Sequence, residues 1–134
     1  MSKPPFSTTV TFSGDFDNAV EQAKAALMEQ GFGVLTEINV SGVFKTKLDV
    51  DYPRTQVLGA CNPKLAHRAL SAEAAVATLV PCNVVVREAA DGSVEVAALD
   101  FSILTRLMDN PEIAAVAKEG DEKLRAVLSK LANA

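Results

Sequence analysis

"NVVVREAADGSVEVAALDF", residues 83–101, decides the fold class. Two runs rich in β-branched residues flank Asp91-Gly92, a pair suited to the positive-φ positions of a tight hairpin turn. Most of the chain on either side has the three-to-four-residue apolar spacing of helices rather than strict alternation. A hairpin set among such segments predicts an α+β fold: a single compact domain with a mostly antiparallel sheet and helices packed on one face.

Working outward, "TQVLGA" (residues 55–60) reads as a short apolar strand, entered from a loop at Pro53. Near the start, "STTVTFS" (residues 7–13) is a β-branched strand. Asp15 then caps a helix over residues 16–30, whose apolar positions Phe16, Ala19, Val20, Ala23 and Leu27 share one face. Gly31 ends that helix. Residues 32–40 form a strand with Phe32, Val34, Thr36 and Ile38 on one side, followed by a brief helix in "VFKTKLDV" (residues 43–50). Asn62-Pro63 opens a helix to about Leu70: asparagine accepts from an orphan N–H, and proline at the first position has no donor to waste. Ser71 caps a second short helix, ended by Pro81. "SILTRLM" is another short helix. Asn110-Pro111 opens the last one, with Ile113, Val116, Ala117, Leu124, Val127, Leu128 and Leu131 in one stripe and a kink or restart at Gly120-Asp121. Residues 1–6 are a loose lead-in and residues 7–134 the single domain.

Composition narrows the function. The 134 residues carry 13 basic and 17 acidic side chains, for a formal charge of −4, with no Trp and one Tyr. No basic stretch or stacking platform exists, which argues against nucleic acid and anionic membranes as partners. No apolar run fits a signal peptide or a membrane span, so the expected location is cytoplasmic and the two cysteines are expected as thiols. No phosphate-loop, dinucleotide or metal motif is present, and no cofactor is indicated.

What remains is a repeated pair. Each cysteine is followed by asparagine, Cys61-Asn62 before a helix and Cys82-Asn83 at the start of a strand. Packing explains cysteines well, because free Cys behaves as a small buried hydrophobe. A site is the other reading: a helix N-terminus stabilises a thiolate, and His67 lies about one turn into the same helix. If a metal is held, Cys61, Cys82 and His67 are its candidates, for a soft ion. Asn62 doubles as a cap, and Asn83 must satisfy its amide if buried. Glu37 is expected on the exposed or cleft face of its strand, and Asp100 ends the hairpin. They are the carboxylates that could share acid–base work. Lys45 and Lys47 do not face each other on a helix and make a poor phosphate clamp.

"EINV", "KTKL", "LGACNPKLAHRAL" and "VPCNVVVRE", in that order, resemble a bacterial and archaeal family catalogued as domain of unknown function 302. The resemblance covers nearly the whole chain. Asn39 stands where that family often has Asp, and Phe101 follows Asp100 where the family usually has Pro. The resemblance implies a compact α+β domain, often paired as a homodimer, and brings no activity with it. The high apolar content and open strand edges also predict a homodimer.

No nucleophile–base pair is recognisable. The expected function is therefore a non-catalytic ligand-binding or interaction module. Its candidate site is Cys61, Asn62, His67, Cys82 and Asn83, with Glu37 and Asp100, and its ligand a possible small molecule. The alternative is a thiol redox or soft-metal protein using Cys61 and Cys82.

Overall fold

The structure, a computed structural model, describes residues 4–134. Its elements run β1 (Ser7–Phe12), α1 (Phe16–Glu29), β2 (Gly33–Asn39), α2 (Val40–Leu48), β3 (Thr55–Cys61), α3 (Pro63–Ala72), a 3-10 segment (Ala74–Leu79), β4 (Cys82–Glu88), β5 (Val94–Leu99), α4 (Ser102–Leu107) and α5 (Pro111–Ala132). The five strands form one sheet in the order β1-β5-β4-β3-β2, every neighbouring pair antiparallel. The expected α+β class and the helices on one face are both present. No helix among the described residues is long and apolar enough to cross a membrane.

The hairpin at the centre follows its turn chemistry. Gly92 takes φ +86°, which a residue without a Cβ does at little cost. The Asp91 carboxylate accepts from the N–H and hydroxyl of Ser93. Outward from the hairpin, β1 and β2 are consecutive in sequence but lie at opposite edges of the sheet. The helix between them, α1, therefore crosses it and touches β2, β4 and β5. Of the expected lead-in, residues 1–3 lie outside the described residues. The Phe6 carbonyl accepts from the Asp100 N–H, which continues the β1–β5 pairing by one step.

The helices α1, α3, α4 and α5 make one layer, with α5 touching the other three. Beneath them the sheet presents Leu58, Val84, Val86 and Val96, all fully buried. The stripe expected on α5, from Ile113 to Leu131, is buried as well. The other side of the sheet has no helix over it. There Val57, Val85 and Ala97 stand side by side across three strands.

Four expectations need correction. There is no restart at Gly120-Asp121, because α5 is continuous. Gly120 instead lets the Phe101 ring close in: a Cβ there would lie 3.0 Å from the ring edge. Ser71 caps nothing, since α3 runs on to Ala72 and Glu73 breaks the chain by turning extended. The brief helix starts at Val40 because the Asn39 side chain accepts from the Gly42 N–H at 2.9 Å. In β2, the pairing shifts register between Val34 and Thr36, with Leu35 as the extra residue. A bulge of this kind swaps faces, so Val34 pairs with buried Ala60 while Ile38 pairs with Val57 on the uncovered side.

Gly59 shows how tightly this edge is set. A Cβ there would collide with the Thr36 hydroxyl and lie 3.1 Å from Pro81 Cγ. Gly59→Ala is expected to lower stability by about 1–3 kcal/mol in urea unfolding. Adding Thr36→Ala is expected to restore most of that loss, and no recovery in the double variant would contradict the contact.

Candidate functional site

The site is built where β3 runs into α3 and β4 begins. Asn62 caps α3, its Oδ1 accepting from the Leu65 N–H at 3.3 Å. Its Nδ2 donates to the Gln30 carbonyl just past α1. The amide therefore joins two helices and is occupied by the fold. Asn110 does the same for α5: Oδ1 accepts from Glu112 and Ile113, and Nδ2 donates to Ala72 at the end of α3.

Beside the Asn62 cap is a small cavity of about 40 Å³. Cys61, Asn62 and Cys82 line it, with Phe32, Phe101 and Val116 among the apolar walls. On this scale a single water needs roughly 10–15 Å³, so the space suits a few atoms, well short of a drug-sized ligand. The structure thus brings together three of the residues that the sequence singles out. The walls from Phe32, Phe101 and Val116 carry no local signal. They reach the site only through the sheet and the helix layer.

Cys82 is buried and Cys61 partly so, and neither forms a disulfide. Burial, with a smaller contribution from Cys61, pushes the Cys82 thiol up from 9.0 to about 12. Its sulfur is a protonated thiol across the physiological range, hence a poor nucleophile, and a metal would have to displace its proton to bind.

The remaining candidates lie elsewhere. His67 is exposed on α3 and does not line the cavity. Asn83 is exposed on the uncovered face, opposite Gly59 and away from Cys82. Among the described residues no group of three His, Cys, Asp or Glu side chains could hold a metal. Glu37 is turned by the β2 bulge toward the helix side, where it takes Lys24 at 2.8 Å and Gln56 at 2.9 Å. Asp100 braces the turn into α4, accepting from the Ser102 hydroxyl at 2.6 Å and its N–H at 2.9 Å. The Ser102 hydroxyl bond is the main reason its carboxyl lies below the ordinary range. Glu37 and Asp100 belong to strands three places apart, about 14 Å at normal strand spacing, so they do not form an acid–base pair. Lys45 is engaged by Asp49 and Asp51.

The profile of "Domain of unknown function DUF302" matches residues 6–131. The chain belongs to the DUF302 family. A crystal structure of an uncharacterized conserved DUF302 protein from Bacillus stearothermophilus is similar, with a TM-score of 0.88 and 26% identity over 96% of this chain and 99% of that one. No curated protein matches.

The Cys82 thiol links this site to stability. Above its unfolded-state value of 9.0 an unfolded chain loses this proton, while the folded chain keeps it up to about 12. Stability from this group is therefore complete below pH 9 and falls between 9 and 12, by about 1.4 kcal/mol per pH unit at most. Urea unfolding at pH 8 and pH 10.5 is expected to show that loss in the native chain and a smaller one in Cys82→Ala. Equal losses would contradict the buried-thiol account.

Proposed function

We propose that this DUF302 domain is a non-catalytic binding module, working as a homodimer, whose cavity at Cys61, Asn62 and Cys82 holds a small ligand. One observation carries the reading. Apart from the two thiols, the cavity lining contains no ionisable group at all. Acid–base and nucleophilic chemistry need a group that moves protons beside the reacting atoms; here only the two thiols are ionisable, and burial keeps that of Cys82 protonated. Such a lining suits a neutral ligand of a few atoms, apolar or polarisable, in contact with two sulfurs and two phenyl rings. A cytoplasmic location belongs to the same reading, since it keeps both thiols reduced.

A soft-metal or redox role is the second reading. It is favoured by one fact, that both sulfur-bearing residues line the same cavity. The raised Cys82 value weighs against it, because a metal must first displace that proton.

A thermal-shift screen of small neutral compounds, with Cu(I) and Zn(II) as separate arms, tests both. The binding reading expects at least one neutral compound to raise Tm in the native chain and not in Ala66→Phe, which fills the cavity. A shift confined to Cu(I) or Zn(II) and abolished by Cys61→Ala would favour the metal reading. Steady turnover of any compound, lost in Cys61→Ala, would overturn the non-catalytic account.

A further inference from the structure

The uncovered side of the sheet is organised in rows. The register aligns Ile38, Val57, Val85, Ala97 and Thr9 in one line across all five strands. The line is apolar apart from the Thr9 hydroxyl. On one side of it lie Thr36, Gly59 and Asn83, and on the other Thr55, Arg87, Glu95 and Thr11. An apolar centre with a polar margin is the anatomy of a protein interface.

α2, which touches β3, lies beside this line. Ile38 and Val43 border the same shallow groove. None of the nine residues of α2 is buried. Its neighbourhood collects exposed apolar side chains: Leu35, Ile38, Val43, Leu48, Val50 and Tyr52. A helix this short draws its stability from packing an apolar face, and within one chain α2 only half-buries Val40 and Phe44, the Phe44 ring lying against Tyr52.

We infer that this face, the sheet's uncovered side extended by α2, docks a second copy of the same chain. The inference rests on the homodimer reading and adds to it the surface used. Two observations favour a second copy over another protein. First, the charges on the face cancel locally: Arg87 donates to Glu95 at 2.9 Å within the chain, so laying the face on itself brings no net like charge into opposition. A partner of opposite charge would find nothing to recognise. Second, the sheet alone supplies more than half of the area a pair needs, and α2 adds to it. Five strands about 4.8 Å apart, each about 20 Å long, give a flat footprint of about 500 Å² before side-chain relief and α2 are added. A stable pair needs roughly 800 Å² of accessible surface on each partner. The two-fold arrangement lays each apolar line over its own copy, as an isologous interface does.

Sedimentation equilibrium of the full chain over a wide concentration range tests the face. The native chain is expected to run at twice its 14.1 kDa mass. Ile38→Arg and Val57→Lys replace side chains outside the core, and circular dichroism checks that each variant is folded. Each is expected to raise the dimer dissociation constant at least 100-fold. Met28→Lys, on the exposed side of α1, is expected to leave it unchanged. A native dimer whose constant does not move in either folded variant would overturn the face and leave the homodimer standing. A native chain that stays at single mass at the highest concentration would overturn both.

Discussion

Leu58, Val84, Val86 and Val96 point the same way from the middle of the sheet, and solvent reaches none of them. Each is worth about 1.5–3 kcal/mol when buried. Their burial requires a lid, and α1 and α5 supply it by packing against each other across the strands. Alternation then forces the intervening residues, Val57, Val85 and Ala97, onto a side where no helix is left to cover them. The helix layer and the apolar line with no helix over it, half-buried at Val57 and Val85 and buried at Ala97, are two results of one choice of face. The bulge at Leu35 adjusts this at the β2 edge, bringing Ile38 into the line and sending Glu37 to meet Lys24.

The helix layer is held in register by two asparagines. Asn62 and Asn110 each cap the helix that follows and donate back to the end of an earlier one. Because Asn62 fixes α3 beside the start of β4, Cys61 and Cys82 end up bordering a shared gap, which Phe32 and Phe101 wall. Phe101 can reach it only because Gly120 leaves room on α5. The cavity is thus a product of helix capping and close packing, and its chemistry is set by two thiols, of which burial keeps that of Cys82 protonated.

Much of this was legible in the sequence because it is local. Asp91-Gly92, Asp15, Asn62-Pro63 and Asn110-Pro111 each act through backbone groups a few residues away, and each occupies the expected place. The α5 stripe follows from period alone. What was not legible is long-range or depends on a single inserted residue. Nothing near Gly120 announces Phe101. Strict alternation put Val34 and Ile38 on one face of β2, and the extra residue at Leu35 sends them to opposite faces; Glu37 is exposed and opposite Ile38 as expected, but on the helix side with Val34. Cys61 and Cys82 suggested a shared site, and strand pairing brings them to one cavity. His67 and Asn83 shared the motif and not the location, since helix phase and strand alternation turn them outward.

One-sided burial is the central claim, and two neighbours on β3 test it most directly. Leu58 lies under the helices and Val57 on the open line. Urea unfolding of Leu58→Ala and Val57→Ala, each at a low and a high chain concentration, compares the two faces within one strand. Leu58→Ala is predicted to lose about 2–5 kcal/mol at both concentrations. Val57→Ala is predicted to lose less than about 1 kcal/mol when dilute, and more when concentrated, as pairing adds to stability by mass action. Equal losses from the two substitutions in dilute solution would contradict the account.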